Sequence, residues 1–288
     1  MSPGPRARLD TVLVRRGLAT NRQQAQEAIA ARRVLVAGAL ADRASRLVAP
    51  SDPVELMGPA PRFVGRGGEK LAAAFDRFSV VVAGAVALDA GASTGGFTDC
   101  LLQRGATRVV AVDVGRGQLD PRLRGDPRVT LLERTNVRWL SSERLASAAG
   151  AGAVPVDLVT ADLSFISLTL AVPVLAGPLL RRRGDLVLLV KPQFEVGRVE
   201  ASRGKGVVRD PRLWRQALDR VVSSLGEAGA AIMDVMASPV TGAAGNVEFL
   251  VHARSGAQPP STADRLVAAA VEGALPDAAG PRRPGRQD

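Results

Sequence analysis

Between residues 85 and 190 five short apolar runs recur, each long enough for one strand: Ala85–Leu88, Val109–Val112, Val129–Leu132, Asp157–Ala161 and Leu186–Val190. From Gly65 onward the chain alternates such strands with helical segments, the pattern of an α/β domain built on a parallel sheet. A helix is predicted over Phe97–Arg104 and another around Pro211–Ala228, with a closing strand pair near Ala231–Met236 and Val247–Val251. The reading sets a domain over 65–254 and a tail over 255–288, rich in Ala, Pro, Gly and Arg and expected to be mobile beyond Pro276.

The preceding residues form a separate unit, 6–58, joined through a stiff linker, 59–64, that starts from Gly58-Pro59-Ala60-Pro61. Leu9, Val12, Leu13 and Leu18 suit a short amphipathic helix ending at Gly17. Asn21 is placed to cap a second helix whose inner face carries Ala25, Ala28 and Ile29. Val34–Val36 and Asp52–Met57 read as strands. The chain carries a net charge of +10, and residues 1–62, with ten Arg against five Asp and Glu, supply +5 of it. Local excess of this kind favours a polyanionic partner. Arg8, Arg15, Arg16, Arg22, Arg32 and Arg33 fall near helix ends and the turn, where they would meet phosphates.

Several chemistries are set aside by composition. One cysteine, Cys100, cannot form a disulfide within the chain, and with a single histidine no Cys/His zinc cluster can be built, so no metal is expected. A hydrolytic triad would depend wholly on His252, which reads as a strand-end surface residue. The N-terminus carries no apolar signal core. Leu163–Leu180 is uncharged, but its Ser, Thr, Pro and Gly residues make it a loop and a buried helix on the sheet, so no stable membrane insertion is expected. Of 38 basic residues only Lys70, Lys191 and Lys205 are lysines. Arg does not give up its proton near neutral pH and Lys can, so these positions mark candidates for proton chemistry.

The first core strand runs into Asp89-Ala90-Gly91-Ala92-Ser93-Thr94-Gly95-Gly96. Small residues there let the backbone approach a ligand at a strand's carboxyl end. Asp113 closes the next strand, placed to accept both hydroxyls of a ribose. Asn136, past the third strand, is placed either to read an adenine edge or simply to make a turn. Asp162 and Lys191 follow two further strands, Lys70 lies on the helix entering the domain, and Glu248 lies in the last strand pair. A charge beside a strand as apolar as Leu186–Val190 is costly unless paired or used. A structural ion network and a catalytic set both fit this pattern.

Three resemblances sharpen it. The stretch RLDTVLVRRGLATNRQQAQEAIAARRVLVAGAL resembles the αL RNA-binding module of ribosomal protein S-four and of pseudouridine synthases, with Asn21, Arg33 and Ala37 departing from the usual Ser, Gly and Asn. The Asp-x-Gly-x-x-x-Gly-Gly loop resembles the S-adenosyl-L-methionine loop of Rossmann-like methyltransferases, not a dinucleotide fingerprint. The stretches GRGGEKL, ALDAGASTGGFTDCLLQRGATRVVAVDVGRGQLDPRLRGDPRV, ERTN, DLSFISL, VKPQFEVGR, GVVRDP and GNVEF resemble the TlyA family, the hemolysin-A-like rRNA methyltransferases.

That resemblance implies an FtsJ-like ribose 2′-O-methyltransferase with Lys70, Asp162, Lys191 and Glu248 as its tetrad. It also implies S-adenosyl-L-methionine as cofactor, lined by Gly91, Ser93, Thr94, Gly95, Asp113, Asn136 and Asp162. The implied reaction is methylation of a cytidine 2′-hydroxyl, with ribosomal RNA or ribosomal subunits as partner in the cytoplasm. Lys191 would serve as base, Lys70 and burial favouring its neutral form while Asp162 and Glu248 oppose that. Phe165 would either stack on a base or fill the core. The competing readings are an RNA-binding assembly factor without catalysis, a membrane-lytic protein and an oxidoreductase.

Overall fold

The computed structural model describes residues 5–19, 22–58, 61–197, 206–242, 244–257 and 262–275. The expected cap Asn21, the linker residues Pro59 and Ala60, Lys205 and the tail beyond Pro276 lie outside the described residues.

The N-terminal module packs two helices, α1 (Leu9–Arg15) and α2 (Arg22–Ala30), on short antiparallel strands. Strands β1 (Ala7–Arg8) and β4 (Leu47–Val48) pair, and β2 (Val34–Val36) lies between β3 (Ala39–Leu40) and β5 (Val54–Leu56). Ala37 (φ 52°) and Gly38 (φ 77°) both adopt left-handed backbone, as a two-residue hairpin turn with this twist requires. Leu9, Leu13, Ile29, Val34 and Val36 form its core. In the first turn of α1, Asp10 is fully buried and accepts from Arg8, Arg22 and Gln26 at 2.9–3.1 Å and from the Thr11 backbone N–H at 2.9 Å. The Arg8 guanidinium foremost, aided by Gln26 and Arg22 and opposed by burial, holds this carboxyl well below the usual carboxylate range.

The second unit holds a seven-stranded sheet. In chain order come α3 (Gly67–Arg77), β6 (Val86–Ala90), α4 (Gly96–Gln103), β7 (Arg108–Val112), α5 (Pro121–Arg124), β8 (Val129–Leu132) and α6 (Ser142–Ala149). Then follow β9 (Val156–Ala161), α7 (Val172–Leu175), β10 (Leu180–Val190), α8 (Pro192–Glu195), α9 (Pro211–Glu227), β11 (Ala230–Ala237), β12 (Phe249–Ser255) and α10 (Ala263–Gly273). The spatial order is β11-β12-β10-β9-β6-β7-β8, with β12 antiparallel to both of its neighbours and the β8-to-β10 pairings parallel. The chain leaves β6 toward β7 and β8, then returns to β9 on the other side. That reversal opens a crevice at the carboxyl ends of β6 and β9, where such sheets bind ligands. One hydrophobic layer (Leu88, Leu145, Leu188, Trp214, Phe249) covers one face, and another (Phe63, Leu71, Phe97, Leu101, Leu250) the other.

Three expectations are corrected. The assigned tail contains α10, whose Val267 and Ala270 are buried against the sheet's hydrophobic layer; an apolar stripe at helical spacing outweighs the Ala-rich composition there. His252 is not a surface residue: it is 3% exposed in mid-β12, stacked on Phe78 at 5.5 Å with Nε2 2.8 Å from Asp185 Oδ1. β10 starts at Leu180, six residues earlier than the apolar run suggested, because Arg181–Arg183 project outward around a register shift before Asp185. Within Leu163–Leu180, Leu168, Val172, Leu175 and Leu179 are buried, and among the described residues no helix is long and apolar enough to cross a membrane.

Candidate active site

A cleft of about 230 Å³ opens beside the carboxyl ends of β6, β9 and β10, and all four predicted tetrad residues line it. Lys70 comes from the first turn of α3, and its Nζ lies 2.5 Å from Glu248 Oε2, both side chains being nearly buried. Glu248 directly precedes β12, and its backbone oxygen accepts from Ser238 N at 2.8 Å. Asp162 leaves β9 and Lys191 leaves β10, and Lys191 Nζ lies 2.6 Å from Asp162 Oδ1. That contact is an ion pair without hydrogen-bond alignment: Asp162 Oδ1 is buried and has no aligned donor. The aligned partner of Lys191 Nζ is Ser164 Oγ at 2.8 Å. Two ammonium groups thus meet two carboxylates in one crevice, and their charges cancel.

The loop after β6 forms the cleft's other wall with Gly91, Ala92, Ser93, Thr94 and Gly96. A Cβ on Gly91 (φ +85°) would lie 2.6 Å from the Asp162 backbone oxygen, so glycine lets the ends of β6 and β9 meet. A Cβ on Gly96 would lie 2.9 Å from the Gly68 nitrogen, which is how the loop seats α3 and its Lys70. Gly95 turns away from the cleft: a side chain there would run into Leu123 and Leu119. Asp113, just past β7, accepts from Ser93 N at 2.8 Å and Gly115 N at 2.6 Å, one on each carboxylate oxygen; it adjoins the loop through Ser93 and does not itself line the cleft. Asn136 is exposed, does not line the cleft, and accepts from Arg138 N at 3.0 Å as the cap of the 3₁₀ turn Val137–Trp139. Trp139 beside it is 71% exposed, with the Arg138 guanidinium 5.4 Å from its ring centre. Phe165 is 92% exposed, so it is not a core side chain.

Sequence reasoning missed Ser164, although it follows Asp162 by two residues. It also missed the pair Arg66 Nε–Glu27 Oε1, 3.3 Å apart, which brings a carboxylate of α2 to the cleft mouth from the other module. No local pattern announces a contact across 39 residues. Asp89 was read as part of the loop. Its carboxyl is fully buried beneath it, pushed up to about 7 chiefly by that burial, while Thr98 Oγ1 donates to it at 2.6 Å.

Of the predicted RNA-contacting arginines, Arg8 and Arg22 are tied to Asp10, Arg16 donates to the backbone oxygens of Asp52 and Pro50, and Arg33 donates to that of Met57. Arg15 and Arg32 are exposed.

The profile of the FtsJ-like methyltransferase family matches residues 63–255, and that of the S4 domain residues 7–54. Over 251 residues, 87% of this chain and 90% of the relative, the sequence is 47% identical to the 16S/23S rRNA (cytidine-2′-O)-methyltransferase TlyA of Mycobacterium tuberculosis. The chain belongs to the TlyA family of FtsJ-like methyltransferases. Hemolysin A of Brachyspira hyodysenteriae is 37% identical across 85% of this chain and 98% of its own length. A solved hemolysin candidate from Streptococcus thermophilus shares the fold with a TM-score of 0.72, 35% identity and coverage of 93% of this chain and 97% of that one. In this TlyA-family chain the S4 match falls within the first unit of the fold, and the FtsJ-like match runs from before α3 through β12 of the second.

Proposed function

We propose that the chain transfers a methyl group from S-adenosyl-L-methionine to a ribose 2′-hydroxyl of a cytidine in ribosomal RNA, in the cytoplasm. The observation that carries this reading is the single cleft holding Lys70–Glu248 and Lys191–Asp162 beside the glycine loop. The tuberculosis relative carries the corresponding activity in its name.

The residues present fit the cofactor. Gly91, Ala92, Ser93 and Thr94 give the cleft a wall of small residues, and next to Ser93, whose N–H it accepts, Asp113 holds a carboxylate of the kind that takes a ribose diol. When bound, the sulfonium supplies an activated methyl group that needs only in-line placement. The protein's task is the acceptor. A ribose hydroxyl is a poor nucleophile, so it must be oriented and relieved of its proton. Lys191, once its ammonium has given a proton to solvent, accepts that proton at Nζ. Asp162 and Ser164 hold the lysine in place, and Lys70, locked by Glu248, donates a hydrogen bond to the acceptor oxygen. The S4 module holds RNA by phosphate and shape.

The test is transfer of labelled methyl from the cofactor to ribosomal subunits, with Lys191→Ala as control. Labelled rRNA with the wild type and a loss of about 10²–10⁴-fold in the variant is expected. Normal turnover by Lys191→Ala at saturating RNA would sink the mechanism. RNA binding without transfer by the wild type would favour an assembly factor.

A further inference from the structure

Glu195 lies outside the cleft, yet it joins the two loops that carry the acceptor-side charges. It ends α8, the single turn that follows Lys191, and is 4% exposed. Its Oε2 accepts from Ser167 Oγ at 2.5 Å and its Oε1 from the Leu168 backbone N–H at 2.8 Å. Its own backbone oxygen accepts from Arg220 Nη1 of α9 at 2.7 Å, which anchors the turn to the long helix.

Ser167 and Leu168 close the loop that starts at Asp162 and Ser164. The segment after β10 and the segment after β9 are therefore joined twice. At the cleft, Lys191 reaches Asp162 and Ser164; below it, Glu195 grips Ser167 and Leu168. Between the two joints Phe165 holds φ at 64°, a conformation that a bulky residue keeps only when its surroundings impose it. A buried carboxylate is tolerated only with donors of this kind. Burial pushes the Glu195 carboxyl up, opposed by Leu168, Ser167 and Arg220.

We propose that Glu195 is a positioning residue for methyl transfer: by gripping Ser167 and Leu168 it fixes the 162–168 loop so that Ser164 Oγ aims Lys191 Nζ at the acceptor. The proposal rests on the methyl-transfer reading above. It requires Glu195 and Ser164 to act along one line.

The experiment compares Glu195→Ala, Glu195→Gln, Ser164→Ala and the Glu195→Ala/Ser164→Ala double variant of the full chain on ribosomal subunits. A misplaced base lowers kcat by about 10–100-fold in Glu195→Ala while the cofactor Kd stays unchanged. Glu195→Gln restores most of kcat, because its amide oxygen still accepts from Leu168 N and its amide nitrogen donates to Ser167 Oγ. Ser164→Ala adds little to Glu195→Ala, the non-additivity of a shared path. Additive losses, or loss of cofactor affinity in step with kcat, overturn the proposal. Should Glu195→Ala not fold, Glu195→Asp takes its place in the cycle under the same criteria. If the wild type transfers no methyl group, the methyl-transfer reading fails by itself. Amide exchange then judges the grip alone: faster exchange over 164–168 in the Glu195 variant, with the sheet unaffected, upholds it, and unchanged exchange refutes it.

Discussion

The cofactor role proposed for Asp113 rests on a carboxylate fixed at both of its oxygens. Two backbone N–H groups fix both of its oxygens, at 2.8 and 2.6 Å, so the carboxylate is set before any ligand arrives. Asp113→Ala is expected to weaken cofactor binding by about 10–100-fold, the worth of hydrogen bonds to a charged group, in a calorimetric titration. Unchanged affinity would remove it from the cofactor site. Asp89 allows a pH test. Burial pushes its carboxyl up to about 7, above the unfolded value of about 3.9, so the folded state holds the proton more tightly. The stability it contributes is complete below about pH 4 and lost as pH rises through about 7. Wild-type urea midpoints should therefore fall between about pH 5 and pH 8, and Asp89→Asn should flatten that fall. Equal slopes would show that another group governs the range.

Strands and loops differ in how openly the sequence declares them. Each of the five apolar runs became a strand, and the charged residues just past three of their ends are Asp113, Asp162 and Lys191, because the carboxyl end of a buried strand is where the chain emerges to solvent. Lys70 and Glu248 were legible through a resemblance of long motifs, not through local pattern. Gly95 and Asn136 were expected in the cofactor wall, but the first faces Leu119 and Leu123 and the second caps a turn, orientations decided by packing partners distant in sequence. Arg181–Arg183 hid the start of β10, and α10 lay hidden in Ala-rich composition. Two substitutions test the elements themselves. Gly91→Ala would drive a methyl into the Asp162 backbone and strain a positive φ, so it should abolish cofactor binding while the S4 unit persists, as read by titration and circular dichroism. Phe249→Ala, which empties a fully buried site at the start of β12, should lower unfolding free energy by about 3–5 kcal/mol in urea titration.

On the scale of the whole molecule, the two units share a cavity of about 570 Å³ lined by Leu18, Ala28 and Leu56 on one side and Phe63, Val64 and Leu123 on the other, with the Glu27–Arg66 pair at its edge. A partly exposed pair of this kind is screened by salt, so it orients the units more than it welds them. Binding to ribosomal RNA should weaken linearly in log salt, and Arg15→Gln with Arg32→Gln should reduce the slope by about two. A salt-independent affinity would mean that phosphate contacts do not drive binding. The aromatic inventory of the chain has a consequence of another kind. With two tryptophans and no tyrosine, its ultraviolet emission comes from two indoles in opposite settings: Trp214, 5% exposed beneath the sheet, and Trp139, 71% exposed past the end of β8. A water-soluble quencher should extinguish the second and spare the first, splitting one spectrum into a report on the core and a report on the turn that Asn136 caps.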